Sequence, residues 1–481
     1  MTEAARHWIG GTWEASGSEA VTTDVYHGKE HARYLMGGEE EALRAISAAR
    51  DTFERSTWAH SPRLRAQVLN ELADAIEARR DEIARAIAVE NGKILSHCVH
   101  ETNAAVSESR YYAGLARAIF GRVTEIDAGK QSIFANEPIG VAAIIVPWNA
   151  PSTLLIRSLG PALAAGCTVV LKGAHQTSSV NRIYAECLAA CPSLPEGVVN
   201  VVHGDLDVSK TLCTHVDVDV VSFTGSSATG KAIMAGGAPT LKRMSLELGG
   251  KAPAIVFEDA DMGKAAGEIV RGAIAHAGQM CTAIARVLVA DNAWDDFVPA
   301  LRSAAEAVTV GDPLEPSVQM GPLFDLPSAE RYDANIAAAR QAGETLLDGG
   351  LDDGHPRGNV ATPALYEISD VSHRLVQEEL FSPIVMVERF SGEEAAARSA
   401  NATRYGLAAS VHTSDHARAR RIARALKSGT VWINCHNRLF AEAETGGYRE
   451  SGMGRLHGLE GLSDFMETKH IYAEFGHIPT G

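Results

Sequence analysis

The feature that most restricts the fold is an alternation of short apolar segments with helical ones, beginning at residue 141. Strand-length apolar segments are predicted at 141–146, 167–171, 198–202 and 218–223. Helices are predicted between and after them at 152–165, 178–190 and 226–235. Because strands that are apolar along their whole length are buried on both faces, the pattern predicts an α/β fold with a parallel sheet covered by helices on both sides.

A second series with the same alternation follows residue 253. Its strands are predicted at 254–257, 286–290, 383–387, 407–411 and 430–434. At 481 residues the chain is too long for one ordinary core, so about two or three domains are expected. The sequence therefore predicts two α/β units.

The segments outside these two series have simpler patterns. A hairpin is predicted at 8–13, where aromatic and β-branched residues flank a Gly-Gly turn. Amphipathic helices are predicted at 40–54 and 64–87. Residues 122–137 are predicted to form an extended arm without a core of its own. The strand predicted at 469–475 is its expected partner, and pairing with another subunit is the alternative.

Composition restricts the class of protein and its partners. Apolar residues make up 46% and charged residues 22% of the chain, which is typical of a soluble globular protein. The net charge of −16 argues against nucleic acid and against a polybasic contact with a membrane. We find no secretory signal and no apolar run long enough to span a membrane. The seven cysteines include no Cys-x-x-Cys pair, so we expect no metal site and a reducing, cytoplasmic location.

Cys281 is the candidate nucleophile. It ends the sequence Gly-Gln-Met-Cys at 278–281, where small and flexible neighbours present a thiol to a ligand. A cysteine attacks as the thiolate, so it needs a base or a positive dipole nearby. The alternative interpretation is a buried cysteine that packs as a small apolar side chain.

Three further motifs carry groups suited to chemistry, and each also has an ordinary structural interpretation. Residues 223–230 place glycines between a strand and a helix, where backbone amides favour a phosphate; the alternative is an ordinary βα turn. Glu247 lies between two leucines, which raises the pKa of a carboxyl and suits a general base; the alternative is a capping or ion-paired glutamate. Asn149 follows the first parallel strand, where its amide suits an oxyanion; the alternative is a rigid turn between two prolines.

The order and separations of these motifs resemble those of the aldehyde dehydrogenase superfamily over nearly the whole chain. The motifs are Pro-Trp-Asn at 147–149, Phe-Thr-Gly-Ser at 223–226, Glu-Leu-Gly-Gly-Lys at 247–251 and Gly-Gln-Met-Cys at 278–281. Further stretches match that family at 377–383, 401–409 and 447–455. The resemblance implies a Rossmann-like coenzyme domain, an α/β catalytic domain and a small β oligomerisation arm.

The same resemblance implies boundaries for these three parts. The coenzyme domain would comprise residues 1–121 and 138–247, and the catalytic domain residues 248–446. The arm would comprise residues 122–137 and 466–481. An arm of this kind implies a homodimer or a homotetramer.

The resemblance also assigns roles to the motif residues. It implies that Cys281 attacks the aldehyde carbon and that Asn149 and the Cys281 amide hold the oxyanion. Glu247 would activate the water that hydrolyses the resulting thioester. The implied coenzyme is NAD or NADP. Its implied contacts are Val146, Trp148, Lys172, His175, Thr224, Gly225, Ser226, Leu248, Glu379 and Phe381.

Several positions depart from the family pattern. His175 stands where a glutamate usually binds the adenosine ribose and repels a 2′-phosphate, which predicts that NADP is tolerated or even preferred. The alternative is that His175 faces solvent and NAD still binds well. Leu456 and Ser158 replace an acid and a lysine that often carry protons away, so a relay through these positions is not expected. His276 replaces an asparagine beside the nucleophile, either to tune the thiol or for packing.

Arg157 is the candidate determinant of substrate choice. It lies eight positions after Asn149 on the following helix, on about the same face as Leu154, and the resemblance places the substrate tunnel there. An arginine at this position resembles enzymes for aromatic, benzaldehyde-type aldehydes, the favoured class, and enzymes for semialdehydes such as succinic semialdehyde. The alternative is an arginine that only packs the helix. Arg438 and Phe440 in the substrate loop supply a second cation and an aromatic ring.

Two other functions are compatible with the same fold. An acylating reductase passes the acyl group to a thiol, and Glu247 argues against it because that branch tends to lack the water-activating glutamate. A non-catalytic dinucleotide-binding protein would have no need to combine Cys281, Asn149 and Glu247. The predicted activity is therefore NAD(P)-dependent oxidation of an aldehyde to the carboxylic acid.

Overall fold

The computed structural model describes residues 4–352 and 354–478, so residues 479–481 of the predicted arm lie outside this part. The strands are β1 (His7–Ile9), β2 (Thr12–Glu14), β3 (Ser18–Thr23), β4 (Glu30–Met36), β5 (Arg122–Asp127), β6 (Lys130–Pro138), β7 (Val141–Ile145), β8 (Thr168–Lys172), β9 (Val199–Val201), β10 (Val220–Thr224), β11 (Arg243–Glu247), β12 (Ala252–Val256), β13 (Ile284–Ala290), β14 (Glu344–Leu347), β15 (Ala364–Glu367), β16 (Ile384–Phe390), β17 (Ala408–His412), β18 (Thr430–Ile433), β19 (Gly452–Met453) and β20 (Met466–Glu474).

The helices cover the faces of the sheets formed by these strands. They are α1 (Glu39–Arg55), α2 (Pro62–Ala78), α3 (Arg80–Asn91), α4 (Leu95–Leu115), α5 (Pro151–Ala165), α6 (Ser178–Ala189), α7 (Leu206–Thr214), α8 (Ser227–Gly237), α9 (Met262–Ile274), α10 (Trp294–Glu306), α11 (Leu326–Ala342), α12 (Arg374–Gln377), α13 (Glu393–Ala400) and α14 (His416–Ala425). In the described residues no helix has the length and apolar character needed to cross a bilayer.

The first predicted parallel sheet is present, with antiparallel strands added at its edges. Its order is β19-β11-β10-β7-β8-β9-β1-β2, and the strands from β11 to β9 run parallel. The N-terminal hairpin extends one edge, and β19 extends the other. Every residue of β7 is buried, as its continuous apolar sequence predicts. The carboxyl ends of the parallel strands meet at one edge, which is where ligands bind in such sheets.

The second sheet has the order β14-β15-β16-β13-β12-β17-β18, and only β14 is antiparallel to its neighbour. Its core holds one fully buried arginine, Arg286 of β13. Both oxygens of Glu388, on β16, accept hydrogen bonds from Arg286 at 2.7 Å, and this bidentate geometry compensates the cost of removing two charges from water. The predicted α/β fold with two sheets is confirmed.

The arm is a separate three-stranded sheet in the order β20-β6-β5. Strand β20 pairs with β6 in antiparallel register from Met466 opposite Pro138 to Glu474 opposite Lys130. The predicted pairing of the arm with the C-terminal strand is therefore correct, and it occurs within one chain.

The helix predicted at 64–87 is wrong in its continuity, because α2 and α3 meet at Arg79 with φ −111° and ψ 15°. The Arg79 guanidinium contacts Glu82 at the start of α3 and Glu186 on α6, which fixes the position of the break. Ile76 and Ile83, on either side of it, face the same core. Because both helices face the same core, the apolar periodicity continues across the break and does not reveal the end of α2.

Apolar periodicity does not predict α4. Its buried face includes Glu101, Thr102, Glu108 and Ser109 besides apolar residues, so the apolar stripe is interrupted. Glu101 accepts a hydrogen bond from the backbone amide of Ser152 at the start of α5. Helix α4 thus has buried carboxyl groups on the face that packs against α5, and α5 follows the first strand of the parallel sheet.

Candidate active site

The loop that presents Cys281 is shaped by unusual backbone conformations. His276, Ala277 and Gly278 have φ angles of 52°, 53° and 73°, so the chain reverses sharply after α9. A Cβ at position 278 would lie 2.4 Å from the backbone of Ser382, so glycine is required there on two counts. The loop brings Cys281, a residue of intermediate exposure, to the edge between the two sheets.

Glycine also allows the Glu-Leu-Gly-Gly segment to pack against the nucleophile. A Cβ at Gly250 would lie 2.3 Å from the carbonyl oxygen of Cys281. Gly250 follows Glu247 by three residues, so the predicted base and the predicted nucleophile are held together by direct backbone packing. Two motifs that are about 30 positions apart in sequence therefore share one site.

Asn149 reaches the same loop from the first sheet. Its side chain is buried in the turn after β7, and Nδ2 donates a hydrogen bond to the carbonyl oxygen of Gln279 at 2.9 Å. Pro151 begins α5 two residues later, and a proline in the first turn fixes the direction of this helix. The Asn149 side chain is therefore fixed against the loop at Gln279, two residues before Cys281.

Glu247 is the last residue of β11, and its carboxyl group is buried. Strand β10 lies beside it, with Gly225 donating its amide hydrogen to the Glu247 carbonyl at 3.0 Å. Oε1 of Glu247 has no hydrogen-bond partner among the described residues. Burial raises the pKa of Glu247, while the nearby Arg157 lowers it. The raised pKa predicted from the two flanking leucines is therefore confirmed in direction.

Arg157 points from α5 into the site and is almost completely buried. Its Nη2 donates a hydrogen bond to Oγ1 of Thr224 at 3.1 Å, and Thr224 lies opposite Glu247 in the sheet. Burial raises the pKa of the Cys281 thiol to about 11, and the charge of Arg157 opposes this shift. One guanidinium thus favours the charged form of both the thiol and the carboxyl group.

The predicted coenzyme contacts lie along the carboxyl edge of the first sheet. Thr224 ends β10, and Ser226 caps α8 by accepting a hydrogen bond from the Thr229 amide at 3.2 Å. Lys172 ends β8, and its ammonium group is largely buried. The backbone amides at the start of α8 suit a pyrophosphate, and Lys172 lies at the same edge of the sheet, two strands away, so the arrangement fits a dinucleotide. Val146, which follows β7, lies at the same edge.

A carboxylate lies beside His175, a position where the sequence predicted none. Nδ1 of His175 is 3.7 Å from the carboxylate of Asp205, which follows β9. The His175 ring is partly buried and is stacked on Tyr34, with ring centroids 6.4 Å apart. Burial lowers the pKa of His175, and Asp205 opposes this shift. His175 is therefore partly buried beside a carboxylate and does not simply face solvent.

The second sheet supplies the other side of the coenzyme edge. Oε1 of Glu379 accepts a hydrogen bond from the Gly250 amide at 3.0 Å, and burial raises the pKa of Glu379 to about 7. Phe381 meets the Trp148 ring edge-on at 6.0 Å. Leu248 packs against α8 at Gly230. A Cβ at Gly230 would lie 2.6 Å from the Leu248 side chain.

The predicted substrate residues separate into two groups. Leu154 is buried in the first turn of α5, one helical turn before Arg157. Arg438 is exposed and lies 3.5 Å from Glu268, and Phe440 is 61% exposed. The structure therefore places Leu154 and Arg157 inside the protein, whereas Arg438 and Phe440 lie at its surface.

Comparison with known proteins agrees with the family resemblance and with the fold. A sequence model of the aldehyde dehydrogenase family matches residues 13–471. Aldehyde dehydrogenase 1 of Tanacetum cinerariifolium is 37% identical over 463 residues, covering 95% of this chain and 92% of that protein. The NADP/NAD-dependent aldehyde dehydrogenase PuuC of Escherichia coli (strain K12) is 36% identical over 476 residues, covering 97% of this chain and 95% of that protein.

A solved structure is similar over nearly the whole chain. The crystal structure of betaine aldehyde dehydrogenase from Staphylococcus aureus in complex with NAD+ matches with a TM-score of 0.95 at 33% identity, covering 99% of this chain and 96% of that chain. The chain therefore belongs to the aldehyde dehydrogenase family. The predicted enzyme class, an NAD(P)-dependent aldehyde dehydrogenase, is confirmed.

Proposed function

We propose that this enzyme oxidises its aldehyde by covalent catalysis on Cys281, with Asn149 and Glu247 in the roles implied by the family. The observation that carries this proposal is the convergence of three polar side chains on one loop. Asn149 hydrogen bonds to the backbone of that loop, and Gly250, three residues after Glu247, packs against the backbone of Cys281. Arg157 adds a buried positive charge that acts on both the thiol and the carboxyl group.

In the first half of the reaction, Glu247 accepts the thiol proton as the sulfur of Cys281 bonds to the aldehyde carbon. The aldehyde oxygen gains the negative charge. Nδ2 of Asn149 donates its second hydrogen to that oxygen, and the Cys281 backbone amide donates to it as well. Each such donor stabilises the transition state by about 3–4 kcal/mol. The nicotinamide coenzyme, when bound, accepts two electrons and the hydrogen of the aldehyde carbon. Loss of that hydrogen with its two electrons leaves a thioester on Cys281, and Glu247 releases the thiol proton to solvent.

In the second half, the ionised Glu247 removes a proton from water as the water oxygen bonds to the thioester carbon. The carbon–sulfur bond then breaks, the carboxylic acid leaves and the thiolate is restored. A buried carboxyl group with a raised pKa suits a base that must take and release protons near neutral pH.

We propose an aromatic, benzaldehyde-type aldehyde as the substrate, and a short ω-carboxylate semialdehyde as the alternative. The support is the placement of Arg157 and Leu154 on the inner face of α5. Arg157 is already engaged by Thr224 and by the charge of Glu247. An aromatic ring needs no further charge pairing from this arginine, whereas the carboxylate of a semialdehyde would have to compete for it.

The test compares benzaldehyde, 2-hydroxybenzaldehyde and succinic semialdehyde with the wild-type enzyme and Arg157→Ala. We expect kcat/KM to be highest for an aromatic aldehyde. Arg157→Ala is expected to lower kcat about 10-fold for every aldehyde, because loss of this positive charge raises the pKa of the Cys281 thiol and lowers the thiolate fraction. The KM for benzaldehyde is expected to change less than about threefold, since the ring makes no charge contact.

Arg302→Ala is the matched control for the substrate test. Arg302 is an exposed arginine of α10 that pairs with Glu306. If succinic semialdehyde is the better substrate and Arg157→Ala raises its KM steeply with little effect on kcat, Arg157 is a carboxylate clamp and the aromatic proposal is wrong.

We propose that both coenzymes bind and that NAD is preferred. The support is the Asp205 carboxylate beside His175, near the site implied for the adenosine ribose. A 2′-phosphate near this carboxylate would be repelled by about 1–2 kcal/mol in a solvent-exposed setting. Asp205→Asn is therefore expected to raise kcat/KM for NADP about 5- to 30-fold while changing that for NAD less than about twofold.

Asp207→Asn is the control for the coenzyme test. Asp207 carries the same charge two residues away on α7 and is largely exposed, 3.9 Å from Lys210. An unchanged NADP/NAD ratio in Asp205→Asn, or an equal change in Asp207→Asn, would show that this carboxylate does not select the coenzyme.

We also propose that the arm joins subunits into a homodimer or a homotetramer, with the three predicted parts as its domains. The support is the apolar surface of the arm. Val123, Ile126, Ile471, Tyr472 and Phe475 are each at least 46% exposed. An apolar surface of this kind on a sheet without its own core is suited to a second subunit. The mass in solution, measured by light scattering, would equal that of one chain if this proposal were wrong.

We place the protein in the cytoplasm, as the cysteines predict. All seven cysteines are unpaired thiols in the structure. A reducing compartment maintains cysteines in this state. Recovery of the protein in an oxidising fraction of its source cells would contradict this placement.

A further inference from the structure

One acidic side chain bridges the two α/β units beside the start of α8. Glu450 lies in a short turn, Arg449–Ser451, that leads into β19. Its Oε2 is 2.9 Å from Nζ of Lys231, which lies on α8 of the first unit. The same oxygen is 3.3 Å from Nε of Arg404, which lies between α13 and β17 of the second unit. One carboxylate is thus shared by cations from both units.

The turn that carries Glu450 is fixed to the second unit by hydrogen bonds of its backbone. The Glu450 amide donates to the carbonyl oxygen of Arg404 at 3.2 Å, and the Tyr448 amide donates to that of Gly406 at 2.8 Å. The Gly406 amide in turn donates to Oγ of Ser451 at 2.9 Å. The position of the Glu450 carboxylate is therefore set by the second unit.

Helix α8 contacts this turn from its first residue onward. Ser227 begins α8, and its Oγ donates a hydrogen bond to the carbonyl oxygen of Glu450 at 2.7 Å. Lys231 lies four positions later, which places it on the same face of the helix as Ser227. Two contacts therefore hold the first turns of α8 to a turn of the second unit. The backbone amides that suit a pyrophosphate belong to the same helix start.

We propose that Glu450 is a positioning residue for the coenzyme, with Lys231 and Arg404 as its partners. These three side chains are named the clasp. The clasp holds the start of α8 where its amides meet the pyrophosphate, and it thereby slows the release of bound coenzyme. This role rests on the coenzyme site of the proposed function. It goes beyond that site because no residue of the clasp is among the predicted coenzyme contacts.

The exposure of the clasp limits the size of its effect, and the charge of the coenzyme fixes the informative sign. The side chains of Glu450, Arg404 and Lys231 are 35%, 48% and 61% exposed, and ion pairs as exposed as these change an affinity only about two- to fivefold. A dinucleotide is an anion, so removing the negative charge of Glu450 would by itself strengthen coenzyme binding. Loss of the clasp weakens binding, and Glu450→Gln therefore distinguishes the two effects by their opposite signs.

The test measures the Kd for NAD without aldehyde, by quenching of tryptophan fluorescence, and the release of NADH by stopped flow. In Glu450→Gln we expect the Kd and the rate constant of NADH release each to rise about two- to fivefold. The single-turnover rate of NADH formation at saturating NAD is expected to change less than about 1.5-fold, because the clasp touches none of the reacting groups. Glu450→Asp keeps the charge but shortens the side chain, so its Kd is expected to lie between those of wild type and Glu450→Gln.

A double-mutant cycle tests whether Lys231 and Glu450 act through their contact. Lys231→Gln is expected to raise the Kd for NAD by about the same factor as Glu450→Gln, and the double variant is expected to be no weaker than either. Lys231→Arg, which retains the ion pair, is expected to restore most of the affinity. Lys210→Gln on α7 and Glu394→Gln on α13 are the controls, because each removes one exposed charge outside the clasp.

The outcomes separate this proposal from the function on which it rests. Unchanged or tighter NAD binding in folded Glu450→Gln, or effects of the two single variants that add in full, would overturn the clasp while leaving the oxidation intact. A wild-type enzyme without turnover for any aldehyde would overturn the proposed function, and the comparison of NAD affinities would still decide the role of Glu450. If Glu450→Gln does not fold, Glu450→Asp supplies the comparison, since it loosens the contact at constant charge.

Discussion

Cys281→Ser is expected to abolish reduced-coenzyme formation with every aldehyde, lowering kcat/KM about 10⁴-fold or more. The hydroxyl of serine ionises far less readily than a thiol, and the burial that already raises the pKa of Cys281 to about 11 acts against any anion at this position. Coenzyme binding, measured by quenching of tryptophan fluorescence, is expected to change less than about twofold, because none of the residues predicted to contact the coenzyme is replaced.

Cys191→Ser is the control for the loss of a thiol. Cys191 is a buried free cysteine just after α6, and its Sγ donates to the Cys187 carbonyl oxygen, a bond that a serine hydroxyl can replace. If Cys281→Ser retains turnover, the covalent route is wrong. If the wild type binds the coenzyme but turns over no aldehyde, the non-catalytic alternative gains support.

Glu247→Gln is expected to separate the two halves of the reaction. Reduced coenzyme is expected to form in a burst of about one equivalent per site, after which steady-state turnover falls about 10²- to 10⁴-fold because no base activates the water. The burst survives because the Glu247 charge raises the pKa of Cys281, so a neutral amide there favours the thiolate. Stopped-flow absorbance of the reduced coenzyme measures both phases.

The burst rate of Glu247→Gln is expected to increase with pH. Its thiol has no nearby carboxylate to accept the proton, so the thiolate fraction follows the thiol's own ionisation, which burial shifts to higher pH. Glu306→Gln on α10 serves as a control with the same change in charge. An absent burst at every pH would mean that the thiol cannot lose its proton without Glu247, and undiminished turnover on adding coenzyme A would favour the acylating alternative.

Much of the fold follows from residues that are near one another in sequence. The apolar strands 141–146 and 167–171 correspond to β7 and β8 within one residue at each end, because a strand buried on both faces is apolar at every position. The break at Arg79 is not predicted because two packed helices share one apolar stripe. Helix α4 is not predicted because its core-facing positions include carboxyl groups whose partners come from elsewhere in the chain.

The candidate site can be predicted in part for a related reason. The order of the motifs assigns Cys281, Asn149 and Glu247 to one site, and in the fold the three meet at one loop. The sequence does not reveal Asp205, because it lies in a turn with no residue pattern of its own and matters only through its distance from His175. The roles of these residues stay predictions until the variants are measured.

The sequence by itself determined which segments are buried strands and helices, which family the chain belongs to and which residue types stand at the reacting centre. The tertiary structure decided which charges act on one another. Arg157 contacts Thr224 across 67 positions, and His457 contacts Glu108 across 349. Apolar periodicity is a local property that each segment carries in its own residues, whereas the pKa of a buried group depends on charges brought to it by distant parts of the chain.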